Sequence, residues 1–175
     1  MINGAGGGVG TFAIQMAKSF GAEVTGVDST GKLDMMSSLG ADYVIDYNQD
    51  DFTKNGKSYD LILDVKTDRS VFDYRHALNA DGIYVTVGGR SVRILQLALL
   101  GSLISMTGSK KLMIIMHKPN KNIHILNELI GSGEIKPVID KCFPLREAVE
   151  AFKYFGEGHF KGKVVISVKD NNKTF

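Results

Sequence analysis

Residues 1–10 read MINGAGGGVG, and the fold turns on how this stretch is interpreted. A glycine-rich turn of this kind normally follows a buried strand of about five or six residues, yet only Met1 and Ile2 precede it. Either the first strand is abnormally short, or the chain is the latter part of a longer design. The spacing Gly4-x-x-Gly7-x-x-Gly10 lets the backbone turn tightly and approach an anion closely, with the amides of the following helix facing that anion. No Lys-Ser/Thr pair directly follows the last glycine of the loop, which argues against a nucleoside triphosphate loop. Dinucleotide-binding proteins, methyltransferases, flavoproteins and purely structural joints all use such a turn.

Outward from the loop, apolar β-rich runs alternate with helix-period segments, the pattern of an open α/β sheet. The strand candidates are 23–28, 43–47, 59–65, 82–89 and 111–117. A first helix starts at Gly10, is expected to bury Phe12, Ile14, Met16, Ala17 and Phe20, and stops at Gly21. A second carries Leu33, Met36 and Leu39; a third carries Val71, Tyr74, Ala77 and Leu78 and ends at NADG. An apolar helix follows from Ser91, and another runs from Asn120 to Ile130. The gaps are long enough for right-handed crossovers between parallel strands. The expected fold is a doubly wound, parallel, six-stranded Rossmann sheet. The last forty or so residues, with KPVIDKCFPL, an amphipathic helix through Ala148, Ala151, Phe152 and Phe155, and GKVVISV, read as a surplus hairpin-like unit.

Composition narrows the function classes. With 175 residues, 43% hydrophobic and 23% charged, and a formal net charge of +2, the chain reads as a single globular unit without the electrostatic footprint of a nucleic-acid binder. The run GSKKLMIIMHKPNKN has no stacking aromatics and reads as a solvated face. The longest apolar stretch, from Ile94, is too short and too polar for a membrane span, and no secretory signal is readable. The single cysteine, Cys142, fits a reducing, cytoplasmic setting and reads as a core thiol. His76, His117, His124 and His159 fall at no ligand spacing, so no metal site is expected.

Asp28 ends the second strand about 20 residues beyond the loop, where a carboxylate accepts hydrogen bonds from an adenine-ribose hydroxyl; this favours NAD. Lys32 and the Tyr47 hydroxyl are instead placed to pair with the 2′-phosphate of NADP, and Asp28 would repel that phosphate unless it turned away. The choice between NADP and NAD stays open at this point.

The ordered segments NGAGGGVGTFAIQMAKSFGAEV, SLGADYVIDYNQDDF, YDLILD, GIYVTVGG, GEIKPVIDKCFPLREAVEAF and EGHFKGKVVISV resemble the coenzyme-binding half of medium-chain dehydrogenase/reductases, in the zinc-independent quinone oxidoreductase-like branch. The resemblance covers nearly the whole chain. It implies a Rossmann domain over 1–134 and a C-terminal strand-helix-strand arm over 135–175 that would complete a missing N-terminal GroES-like catalytic domain. It implies that Gly7, Gly8 and Val9 hold the pyrophosphate, that Lys32 and Tyr47 meet a 2′-phosphate, that Val87, Gly88 and Gly89 line the nicotinamide ribose, and that Lys163 reaches the phosphates. Lys66 and Thr67 stand where relatives often carry a glycine. The implied activity is hydride transfer from NAD(P)H to a quinone, enone or related carbonyl acceptor, with the chain probed alone expected to be inactive. Catalytic residues are not assignable. The strand at 111–117 implies edge-to-edge pairing into a homodimer. A short-chain dehydrogenase is ruled out because no tyrosine has a lysine four residues on. An adenosyl-methionine methyltransferase and a non-catalytic nucleotide-binding or scaffold remnant are the alternatives.

Overall fold

A computed structural model describes residues 1–115 and 121–168. The elements run β1 (Ile2–Asn3), α1 (Gly10–Ser19), β2 (Thr25–Asp28), α2 (Leu33–Ser38), β3 (Tyr43–Asp46), β4 (Tyr59–Asp64), α3 (Val71–His76), β5 (Leu78–Thr86), α4 (Ser91–Thr107), β6 (Lys111–Ile114), α5 (Ile123–Gly131), β7 (Ile139–Pro144), α6 (Ala148–Glu157) and β8 (Lys163–Ser167). The first six strands form one sheet in the order β3-β2-β1-β4-β5-β6. Every pairing in it is parallel, with Ile2 set opposite Gly26 on one side and Leu63 on the other. The chain winds outward from β1 to β3, then crosses back to β4. The crevice at the carboxyl ends of β1 and β4 is thus the switch point at which open α/β sheets bind ligands.

A parallel sheet needs cover on both faces. One core gathers Val27, Ile62, Tyr74, Tyr84, Leu97 and Leu112, in which the Tyr74 and Tyr84 rings stack 4.3 Å apart. The other gathers Ile2, Ala5, Ile14, Val24 and Met36 beneath α1 and α2. Fully buried side chains such as Ile14 and Ile62 contribute roughly 2–3 kcal/mol each by leaving water.

Four local expectations are corrected. Phe20 is 77% exposed, Phe12 and Met16 are only half-buried, and the inward positions of α1 are Thr11, Ile14 and Gln15. Gln15 is buried because its amide clamps the backbone of Lys136, donating to the carbonyl at 3.0 Å and accepting from the N–H at 2.8 Å. The third helix stops at His76, since Leu78 already pairs with Tyr59 and starts β5; the NADG turn is a bulge within that strand. The C-terminal unit is no hairpin: β7 and β8 are parallel, joined through α6. Alternation along β7 turns Phe143 onto Tyr154 of α6, with ring centroids 5.9 Å apart, and leaves Cys142 on the opposite, exposed face rather than in a core. His117, the end of the 111–117 strand and Asn120 lie outside the described residues.

Candidate functional site

The glycine loop is fixed by contacts that exclude side chains. Gly4 adopts φ +81°, and the amides of Gly4 and Ala5 both donate to Val27 O, at 2.9 and 3.1 Å. A Cβ on Gly10 would lie 2.3 Å from Gly4 O, so only glycine lets α1 start this close to β1. Beyond the turn, the amides of Gly8 and Val9 have no hydrogen-bond partner among the described residues. The first turn of α1 carries no acidic residue and no side-chain cap. Unpaired amides at a helix N-terminus carry partial positive charge and need an acceptor.

Around this loop the fold gathers charge. Asp28 Oδ2 accepts from Gly6 N at 2.9 Å and Oδ1 from Ser29 N at 2.9 Å, with Lys32 Nζ 3.4 Å away. Both side chains of this pair are buried, where an ion survives only with a partner and hydrogen bonds. Lys32 Nζ also donates to Gly158 O at 3.3 Å and lies 5.5 Å above the Phe160 ring. Its stem crosses Gly6, where a Cβ would come within 2.6 Å of Lys32 Cδ. The loop before β8 closes the arrangement: Gly162 N donates to Gly6 O at 3.0 Å, and a Cβ on Gly8 would meet Lys163 Nζ at 3.0 Å. The Lys163 ammonium stands 5.6 Å from the Phe12 ring.

Tyr47 lies beside this cluster, its N–H donating to Asp28 O at 3.2 Å and its side chain half exposed. Next to it the Thr30 hydroxyl and the Asn48 amide bond Asp46 and hold that carboxyl below the usual carboxylate range. Val87, Gly88 and Gly89 are on the far side of the crevice, continuing β5. They are set by a buried carboxylate, Asp64, whose Oδ1 accepts from Asn3 Nδ2, Lys66 N and Thr67 N, each at 2.9 Å. Its Oδ2 accepts from the Tyr84 hydroxyl at 2.8 Å. Burial and the neighbouring Asp64 charge push the Tyr84 and Tyr74 hydroxyls well above the ordinary phenol value, so both stay protonated. Thr67 Oγ1 donates to Gly88 O at 2.6 Å, and Gly89, at φ +143°, sits where a Cβ would be 2.3 Å from Lys66 O.

The structure thus brings Gly7, Gly8, Val9, Asp28, Lys32 and Lys163 into one cluster, puts Tyr47 at its edge and Val87–Gly89 across the crevice. Sequence reasoning missed Gly158, Phe160 and Gly162, which come to the loop from the arm; the only local trace was the glycine spacing in EGHFKGK. Among the described residues no group of three or more His, Cys, Asp and Glu side chains is placed to hold a metal ion. No helix among them is long and apolar enough to cross a membrane.

The family model of zinc-binding dehydrogenases matches residues 39–166. The chain belongs to this family, the medium-chain dehydrogenase/reductases, and is related to its quinone-oxidoreductase-like branch. It is 33% identical over 174 residues to a chloroplastic quinone-oxidoreductase of Triphysaria versicolor, covering 95% of this chain and 51% of that one. It is 35% identical over 189 residues to a mitochondrial NAD(P)H oxidoreductase of Bos taurus, covering 96% and 47%. The quinone oxidoreductase structure from Coxiella burnetii superposes with a TM-score of 0.79 at 25% identity, covering 96% of this chain and 52% of that one. The chain spans about half the length of the curated relatives it matches.

Proposed function

We propose that the chain is the coenzyme-binding half of an NAD(P)H-dependent oxidoreductase that reduces a quinone, enone or related carbonyl acceptor. The observation that carries this reading is the pair of unpartnered Gly8 and Val9 amides at the start of α1, flanked by the Lys32 and Lys163 ammonium groups. Amides and ammonium groups so arranged fit a pyrophosphate held on Gly7, Gly8 and Val9 with Lys163 against it. When bound, the reduced nicotinamide supplies the hydride; the residues of this chain bind, orient and exclude water. Val87, Gly88 and Gly89 line the nicotinamide ribose, fixed by the Asp64 network beneath them.

NADP is favoured over NAD. The Lys32 ammonium, 3.4 Å from Asp28, offsets the charge with which that carboxylate would repel a 2′-phosphate. Lys32, turning from Gly158 O, and Tyr47 then take the 2′-phosphate. The unit 1–134 carries the coenzyme, and the arm 135–175 docks on a GroES-like catalytic half, in keeping with the exposed apolar side chains of Ile139, Val149, Phe152 and Phe155. β6 is an edge strand of the sheet, which suits pairing of two copies.

The test is titration with NADPH and with NADH by nicotinamide fluorescence, in a chain without tryptophan. Lys32→Ala and Asp28→Ala serve as paired variants, each checked for a native melting transition. Tighter binding of NADPH, with the preference lost in Lys32→Ala, is expected. Preference for NADH that Asp28→Ala weakens would overturn the NADP assignment, and binding of neither would overturn the coenzyme reading.

A further inference from the structure

The loop joining α6 to β8, residues 158–162, comes from the far end of the chain yet packs on the glycine loop after β1. Gly162 N donates to Gly6 O at 3.0 Å, and Gly162 O would stand 3.2 Å from a Cβ on Gly8. At the other end of the loop, Gly158 O accepts from Lys32 Nζ at 3.3 Å. Between them the Phe160 ring lies 5.5 Å from the same ammonium and stacks on Phe155 of α6, with centroids 4.6 Å apart. With Asp28 Oδ1 at 3.4 Å on its remaining side, the Lys32 ammonium is enclosed, and the residue is only 4% exposed. A phosphate cannot reach this cation while the loop stays in place.

Packing decides which partner yields. The Lys32 stem is pressed on Gly6, where an added Cβ would come within 2.6 Å of Lys32 Cδ and 2.8 Å of Lys32 Cβ, so the ammonium turns only if the loop against it gives way. Gly158 ends α6 at φ +74°, a conformation that favours glycine, and a Cβ there would meet nothing within 4 Å. This end has room to move. Gly162 is the fixed end: at φ +68° it sits where a Cβ would be 2.4 Å from Val138 O, and Lys163 N donates to that oxygen at 2.8 Å as β8 begins. His159 and Lys161 are exposed, which leaves the Phe160 ring as the side chain that keeps the loop down.

We propose that residues 158–161 form a latch that gates Lys32: closed, they hold its ammonium on Gly158 O and against Phe160; a 2′-phosphate takes the ammonium in their place and lifts them, with Gly158 as the hinge. Resting on the coenzyme reading, the latch makes the arm respond to NADP and not to NAD, because only the 2′-phosphate offers Lys32 a charged acceptor in exchange for a neutral carbonyl. The closed latch reduces the apparent affinity for such a ligand in proportion to the fraction of molecules in which it is open. Phe160 favours the closed form through its ring on Lys32 and its stack on Phe155, so removing the ring tightens binding of a 2′-phosphate by about tenfold.

The test uses the full chain with adenosine 2′,5′-bisphosphate and with 5′-AMP, which lacks only the 2′-phosphate. Phe160→Trp places a single indole in a chain that has no other; the bisphosphate is expected to shift its emission as the ring leaves Lys32, and 5′-AMP to leave it unchanged. By calorimetry, Phe160→Ala is expected to bind the bisphosphate about tenfold tighter than the parent and 5′-AMP no tighter. Phe155→Ala, which removes the ring stacked on Phe160, is expected to act in the same direction and carries the test if Phe160→Ala does not melt as a folded chain. An unmoved emission, or bisphosphate binding no tighter in the alanine variants, would overturn the latch and leave the coenzyme reading standing. An equal emission shift with 5′-AMP would overturn the 2′-phosphate as its trigger. Failure of the parent and of both alanine variants to bind either the bisphosphate or NADPH would remove the coenzyme reading itself, and the latch with it.

Discussion

Replacing Gly10 by alanine tests whether the glycine loop is shaped first by packing. The added Cβ would lie 2.3 Å from Gly4 O, 2.4 Å from Ala5 Cα and 2.5 Å from Ala5 C, all backbone atoms of the turn it must clear. None can rotate away as a side-chain tip would. Relief requires α1 to shift away from β1, loosening Ile14 from the core beneath it. Overpacking of this kind costs about 3 kcal/mol. In a chain of this length each kcal/mol is worth roughly 2–4 °C, so the transition falls by about 6–12 °C. Gly7→Ala is the internal control. Its Cβ would meet only Gly4 O, at an ordinary 3.4 Å, and Gly7 does not adopt a positive φ. Restricting the unfolded chain then offsets any loss, and the expected change is within about 1 kcal/mol. Thermal melts and urea titrations of both variants measure the difference. If Gly10→Ala melts within 2 °C (roughly the effect of 1 kcal/mol or less) of the parent, or Gly7→Ala loses as much as Gly10→Ala, the packing argument is wrong.

Other consequences are open to direct measurement. Asp64→Ala strands the Asn3 amide, the Lys66 and Thr67 N–H groups and the Tyr84 hydroxyl in a buried site, and is expected to cost about 4 kcal/mol or more in urea unfolding; an isostable variant would show that the network does not hold the loop. Acid stability follows from Asp42, Asp46 and Asp51, all with carboxyl groups held below the ordinary value. For Asp42 the cause is the Lys18 ammonium and the Val24 amide; for Asp46, the Thr30 hydroxyl and Asn48; for Asp51, burial works against the shift, and the Thr53 bonds and Arg69 outweigh it. The unfolded chain binds these protons first, so the stability they supply is complete above about pH 4 and declines as pH falls further. Asp46→Asn is expected to flatten that decline, and an unchanged pH profile would remove Asp46 from the account. Because Cys142 is exposed, the native chain is expected to react with a thiol reagent such as DTNB to one equivalent without denaturant; reaction only after unfolding would return Cys142 to a core.

What could be read in the sequence was local. The glycine spacing from Gly4 to Gly10, the alternation of β-rich runs with helical periods, and the acid ending the second strand each act over a few residues. Those short-range rules determined a doubly wound sheet and the place of its crevice. Where local signals competed, the reading slipped. Leu78 satisfies a helical period as well as a strand, and only its pairing with Tyr59 decides for β5. Cys142 and Phe143 are both apolar neighbours, and only the position of α6 decides which one is covered.

Tertiary structure alone decided the state of the charged cluster. Whether Asp28 faces a ribose or the Gly6 amide depends on Lys32, and Lys32 is held by Gly158 O, 126 positions along the chain. The meeting of Gly162 with Gly6 and of Lys163 with Gly8 likewise depends on a parallel β7-α6-β8 unit folding back over α1, with Gln15 clamping Lys136. Contacts across such separations leave no periodicity and no spacing in the sequence. They exist only because burying the sheet and the arm brings remote backbone groups within hydrogen-bonding distance.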